Sequence, residues 1–440
     1  MLLEKYNVPG PRYTSYPTVP YWKEAPTAAQ WLEGVKRTLG ESQPAVYIHI
    51  PFCERLCTYC GCNTRVTRSH AVAAPYIETL LQEWQLYQLG SLRPGELHLG
   101  GGTPTFLSAS ELDSLMHGLL GSASAPTELY SVEADPRVTS IEQLETLSRW
   151  GFRRLSLGIQ DFDPQVQAIV NRVQSEAQVR TVVEGARSLG YSSINFDLIY
   201  GLPLQTVQSV QETMAAIVRL RPDRIAFYAY AHVPWIKPGQ RRFTEDDLPQ
   251  GEAKRALYEC GRALLEQAGY LEIGMDHFAL PSDSLWRADA DGSLHRNFMG
   301  YTTKSYEPLI GLGVSAISDA GHLFMQNDKH IESYKEKIAS GQLAIMRGHI
   351  LTDEDLRVRK QITALMTKLA TEGPWVLERL QPFLDDGLIS LGSHCQVLPK
   401  GRAFLRNICM AFDARLWENE TPLLHRQGIG ATTTRFSQTV

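Results

Sequence analysis

No run of about 18 apolar residues occurs anywhere in the chain, so no segment has the length to cross a bilayer as a helix. The N-terminal stretch MLLEKYNVPGPRYTSYPT lacks the apolar core of a signal peptide, and a cytoplasmic protein is expected. Positive charge is not in surplus: 43 Lys and Arg against 48 Asp and Glu leave a net charge of -5. That balance argues against a general nucleic-acid or acidic-membrane binder, and an anionic substrate would need a local basic pocket. There is no internal repeat and no long low-complexity tract. Paired cysteine knuckles of the zinc kind are missing as well, because the cysteine after Cys62 is Cys260, far away and alone. An odd total of seven cysteines fits a reducing compartment better than a disulfide framework. Cys260, Cys395 and Cys409 read as small core residues.

What is present is concentrated. Cys53, Cys57, Cys60 and Cys62 crowd into CERLCTYCGC, directly after the apolar run AVYIHIPF. Thiolates at this spacing, on a loop leaving a strand, can converge on one iron-sulfur cluster. Three ligands leave one iron open for chemistry on a bound molecule, whereas four close the cluster for electron transfer alone. Cys62 either completes a closed set or is a nearby thiol outside it.

From about Ala45 short apolar runs alternate with longer amphipathic ones. AVYIHI, ELHLG, LYSVEA, RLSLGIQ, INFDLIYG and RIAFYAYA read as strands, separated by helical spans such as APYIETLLQEWQLYQ and VQSVQETMAAIVRL. This alternation means βαβ units and a parallel sheet, and strand counting does not separate a partial barrel from a doubly wound sheet. Ligands of parallel α/β folds gather at the carboxyl ends of the strands. There stand the glycines of GGGTP, Glu133 and Asp135 of VEADPR, Gln160, and Asp197, a carboxylate inside an otherwise apolar run. Arg172 is placed on the helical segment NRVQ. Beyond the barrel, 251–270 reads as an amphipathic helix, and Thr352 as the N-cap of a helix rich in acid at its start. A β-hairpin and a further helix follow, in a helix, helix, wing order without the basic stripe that DNA binding needs. The tail from about residue 418 reads as irregular.

The string C-x3-C-x2-C after a strand resembles the radical S-adenosylmethionine (SAM) superfamily. The fuller YIHIPFCERLCTYCGCNTRVTR, with GPRYTSYPT near the start and RNICMAFD near the end, is similar to the oxygen-independent coproporphyrinogen III oxidase family, the HemN type. The resemblance implies an α/β fold, an open partial (β/α)6 barrel with an N-terminal arm over 1–40 and a mainly helical C-terminal domain over 346–440. The catalytic domain would span 41–345, with the core barrel at about 45–235. It implies a 4Fe-4S cluster on Cys53, Cys57 and Cys60, with Cys62 as a non-ligand, and two SAM molecules. Tyr47, Gly101, Glu133 and Ile317 would belong to the first SAM site. Tyr59, Gly102, Thr103, Gln160, Arg172, Asp197 and Ala231 would belong to the second. Arg12 and Tyr13 are expected at a lid, and Arg296 joins Arg12 as an anion contact, near Asp276, His277, Asn297 and Tyr301. The implied reaction is anaerobic decarboxylation of coproporphyrinogen III by a monomer served by a flavodoxin- or ferredoxin-like reductant. Two competitors stand beside it: a haem chaperone of the same superfamily, in which an aromatic usually replaces Cys62, and a plain electron carrier.

Overall fold

The computed structural model describes residues 2–40, 42–90, 92–122, 125–419 and 436–439. At its centre lie six parallel strands in chain order, β1 Ala45–Ile50, β2 Glu96–Gly101, β3 Thr127–Ala134, β4 Phe152–Gln160, β5 Ser193–Tyr200 and β6 Arg224–Ala229. Each is joined to the next by a helix: α1 Ala73–Leu86, α2 Ala109–Leu120, α3 Ile141–Arg149, α4 Glu176–Ser188 and α5 Val207–Leu220. Serine or threonine starts α2 to α5 through reciprocal capping boxes, Ser108 with Glu111 and Ser140 with Gln143 among them. β1 and β2 are buried nearly throughout, whereas β4 and β5 alternate buried with part-exposed residues, so that one of their faces is only partly covered. The alternation predicted a parallel α/β sheet, and the architecture is the open, partial (β/α)6 barrel that the resemblance implied.

The sheet does not close on itself, and its strands number twelve. At the β6 edge lie β7 Leu271–Ile273 and β8 His277–Ala279: β8 pairs antiparallel with β6, and β7 pairs antiparallel with β8 as the outermost strand. On the opposite edge β9 Leu309–Leu312 pairs parallel with β1. Beyond it β10 Ile317–Asp319, β11 Leu323–Asn327 and β12 Ile345–Ile350 run antiparallel to one another in turn. These strands are three to six residues long, and those of three residues, β7, β8 and β10, are too short to show a period in the sequence.

Helix α6 Gly251–Gln267 packs beside α5, and the C-terminal part holds α7 Asp353–Lys368, capped by Thr352, and α8 Leu405–Phe412. The hairpin expected before α8 is present, Ile389–Leu391 pairing with Cys395–Val397. Tyr6, Tyr13, Tyr16 and Tyr21 share one apolar core with Ile362, Leu365, Phe383 and Ile408, separate from the barrel's own core. The first half of the N-terminal arm is therefore packed into the C-terminal part by side chains about 400 positions away, such as Tyr6 Oη donating to Asp386 at 2.6 Å, while Trp31 and Val35 of its second half join the barrel core. Most of the tail read as irregular, 420–435, lies outside the described residues. Among the described residues no helix is long and apolar enough to cross a membrane.

Candidate active site

Strand register brings the site together. Parallel pairing sets Ile50 beside Gly101, and the Gly102 amide donates to the Ile50 carbonyl at 2.8 Å, so the cysteine loop and the glycine turn leave the sheet side by side. Gly101 takes φ 113, a conformation open to glycine. At Gly102 a Cβ would stand 2.8 Å from the Pro51 main chain, so only hydrogen fits there. The same ladder aligns Glu133 with Ser156, Ser156 with Asn195, and Gly158 with Asp197.

The result is a cavity of about 460 Å³ at the carboxyl ends of the strands. Cys53, Cys57, Cys60 and Cys62 form one side; Gly101, Gly102, Thr103, Glu133, Gln160, Arg172, Asp197 and Tyr59 complete it. Cys53 Sγ lies 3.3 Å from the Thr103 hydroxyl. Burial pushes the Cys53 thiol up to about 11, with the nearby Cys60 and Cys57 adding to it. The Cys60 and Cys62 thiols are close enough to share a hydrogen bond, which draws Cys60 down and pushes Cys62 up. Among the described residues no three Cys, His, Asp or Glu side chains close around a single ion. The thiols instead face one shared space, the arrangement for a multi-iron cluster, and three of them at C-x3-C-x2-C fit the 4Fe-4S group.

Two residues that sequence reasoning underused anchor the thiol loop. Asp135 accepts from Arg137 Nη2 at 2.6 Å and Arg172 Nη1 at 3.2 Å. Both guanidiniums also approach Cys57 Sγ, at 3.6 and 3.5 Å. Burial works against its charge, but Arg172 and Arg137 together hold the Asp135 carboxyl below its usual range. Arg172 is not on a helix: the helix Pro164–Ile169 ends before it and Asn171, at φ 56, turns the chain so that the guanidinium reaches the Gly158 carbonyl. Asparagine tolerates that left-handed turn, which NRVQ read as a helix conceals. The second missed residue is Gln240, whose buried amide donates to the carbonyls of Tyr59 and Ala231 at 3.1 and 3.2 Å. Nothing in its sequence context marks it, since the contact spans 181 positions in one case.

Glu133 accepts from the Gly101 amide at 3.1 Å and lies 3.2 Å from His98 Nε2. Burial again opposes ionisation, but the His98 bond and the Gly101 amide keep the carboxyl below its ordinary value. Asp197 has hydroxyl and amide donors, Ser156 at 3.0 Å and Asn195 at 2.9 Å. Burial and the neighbouring Glu133 charge push it up to about 6.

The remaining sequence candidates lie elsewhere. Tyr47 stacks on His98 with ring centroids 5.8 Å apart and bonds His49, behind the cavity wall. Ile317 is on β10, two strands from β1, and Ala231 follows β6 beside a different cavity. Tyr13 donates to Asp413 at 2.8 Å in the arm's core. Arg296 lies over the Tyr301 ring at 4.5 Å, Tyr301 stacks edge-on against His277, and Tyr13, Arg296 and Asn297 border a space of only about 20 Å³. Arg12 reaches the Ala229 carbonyl at 2.7 Å.

Residues 47–217 match the model of the Radical SAM superfamily. The oxygen-independent coproporphyrinogen III oxidase of Salmonella typhimurium is 41% identical over 434 residues, 94% of this chain and 95% of the relative. That of Pseudomonas aeruginosa is 40% identical, over 100% of this chain and 98% of the relative. The chain belongs to the oxygen-independent coproporphyrinogen III oxidase family. Its fold is similar to the solved coproporphyrinogen III oxidase HemN of Escherichia coli, described as a radical SAM enzyme, with a TM-score of 0.86 at 39% identity over 92% of this chain and 97% of that one.

Proposed function

We propose that this member of the family oxidises coproporphyrinogen III to protoporphyrinogen IX without oxygen, converting the ring A and ring B propionates to vinyl groups. The observation that carries the reading is the Cys53, Cys57 and Cys60 thiols opening onto one cavity with Gly101, Glu133, Arg172 and Asp197. The near full-length likeness to named oxidases selects the substrate. The haem-chaperone alternative loses to both.

Cys53, Cys57 and Cys60 would hold a 4Fe-4S cluster, which would supply the electron for reductive cleavage of SAM and so the means to take a hydrogen atom from the propionate β-carbon. Loss of CO2 and of one electron to an external acceptor would then leave the vinyl group. The protein's own part is orientation and exclusion of water. Glu133 and Asp197 accept hydrogen bonds from ribose hydroxyls and an ammonium group. The Gly101–Thr103 turn supplies main-chain donors and acceptors, the Arg172 fork suits a carboxylate, and Tyr59 packs on adenine or sulfonium. Arg137 and Arg172 direct guanidinium N–H groups at the Cys57 sulfur.

The proposal extends to two SAM molecules, the first with Tyr47, Gly101, Glu133 and Ile317, the second with Tyr59, Gly102, Thr103, Gln160, Arg172, Asp197 and Ala231. It includes the arm, with Arg12 and Tyr13, and the C-terminal part as covers of the barrel mouth, Arg296 as an anion contact, and Cys62 as a thiol that serves turnover without holding iron. A flavodoxin- or ferredoxin-like reductant and a monomeric cytoplasmic enzyme complete it. The test is anaerobically reconstituted protein with SAM, a reductant and coproporphyrinogen III. Release of CO2 with protoporphyrinogen IX is expected, and haem transfer without CO2 contradicts the reading.

A further inference from the structure

Beyond the rim of the thiol cavity β5 and β6 keep presenting the same face, since residues two apart point alike. Asp197, Ile199 and Tyr228 line the first cavity; Gly201 and Tyr230 line a second, of about 420 Å³, walled by His232, Trp235 and the start of α6. Lys254, on the first turn of α6, reaches into it and donates to the Tyr230 carbonyl at 3.3 Å. Gly201, at φ 83, makes room for its stem, because a Cβ there would come within 2.9 Å of Lys254 Cε. One residue back on β6, the Ala229 carbonyl takes Arg12 Nη2 at 2.7 Å.

Neither cation has a carboxylate within ion-pair distance among the described residues, and each spends one donor on a main-chain carbonyl. An ammonium carries three donors and a guanidinium five, so most of their capacity is free. Arg406 adds a third positive charge close by but is committed to the carbonyls of Gly10, Pro11 and Gln438. Burial, then Arg12 and Arg406, draw the Lys254 ammonium down to about 8, the behaviour of a cation held among cations. Asp276 and Glu245 are the nearby acids, and Asp276 stays outside ion-pair reach of Lys254.

We propose that this second cavity seats a carboxylate of the tetrapyrrole, a propionate that is not oxidised, on the Lys254 ammonium, with Arg12 on the adjacent Ala229 carbonyl adding positive charge. The assignment rests on the substrate reading above. A molecule whose reacting propionate lies over the thiols must send its other carboxylates outward, and Lys254 stands in the next cavity, which Gly201 and Tyr230 line two residues beyond Ile199 and Tyr228. The carboxylate of a SAM molecule is the other source of the same chemistry.

The test compares Lys254→Met and Lys254→Arg holoenzymes with wild type. Lys254→Met is expected to raise KM for coproporphyrinogen III about tenfold, with kcat within about twofold, iron content unchanged and KM for SAM unmoved. Lys254→Arg restores most of the loss. Binding of coproporphyrin III without SAM should weaken by a similar factor, which tests the cavity even if wild-type protein releases no CO2 and the oxidase reading fails. Unchanged KM and binding in an iron-replete Lys254→Met protein overturn the assignment, and so does an effect on the KM for SAM alone.

Discussion

On one side of the thiol cavity Asp135 is enclosed by Arg137 and Arg172, and both arginines also reach Cys57. On the other side Glu133 and Asp197 have no arginine or lysine in ion-pair reach among the described residues, and take hydrogen bonds from His98, the Gly101 amide, Ser156 and Asn195. The first side pairs its one carboxylate with two guanidiniums and fixes the loop that carries the thiols. The second keeps acceptor capacity for the donors of a ligand. A buried charge left without its partner is costly, so the two sides should respond to mutation in opposite ways.

The largest effect is expected at Arg172. Arg172→Met strips Asp135 of one partner and Cys57 of one donor, and should cost about 3 kcal/mol of stability and at least about a hundredfold in iron retention or turnover. Thermal melting and iron content check it. Arg172→Lys keeps the charge without the fork and should fall in between. Gly102→Ala comes next: its Cβ would press on the Pro51 and Phe52 main chain and shift the cysteine loop, lowering turnover about tenfold with little change in melting temperature.

The smallest effects, and the clearest contrast, come from neutralising one acid on each side. Asp197 is raised from 3.8 to about 6, so its ionisation burdens the folded state as pH rises through that window. Asp197→Asn should therefore be more stable than wild type above pH 6, equal to it below pH 4, and bind SAM about fivefold more weakly at neutral pH. Asp135 is lowered, so it stabilises the fold above its ordinary value of 3.8 and loses that contribution as pH falls. Asp135→Asn should be less stable than wild type at neutral pH, the gap closing in acid. Melting curves across pH for the two variants check the opposite signs; the same sign in both would erase the contrast between the two sides.

The barrel was legible because each parallel strand is a short, mainly apolar or alternating run and α2 to α5 each start at a Ser or Thr cap, so β1 to β6 fall within two or three residues of the segments read from sequence. The cysteine loop and the glycine turn were legible for the same local reason. What escaped was set by distance or by brevity. Arg137 and Gln240 are ordinary residue types whose role comes from partners 80 and 181 positions away. Strands β7, β8 and β10, of three residues each, are too short for a period, and the turn at Asn171 that aims Arg172 depends on one left-handed residue. The docking of the arm rests on contacts such as Tyr13 with Asp413, which no local pattern announces.

The claim at the centre is that three of the four clustered thiols hold iron and the fourth does not. Iron content after anaerobic reconstitution of Cys53→Ser, Cys57→Ser, Cys60→Ser and Cys62→Ser tests it directly. The account predicts loss of the cluster in the first three and a full complement of iron in Cys62→Ser, with turnover lost. Loss of iron from Cys62→Ser as complete as from the others would contradict it and would make the cluster a closed, four-thiol one.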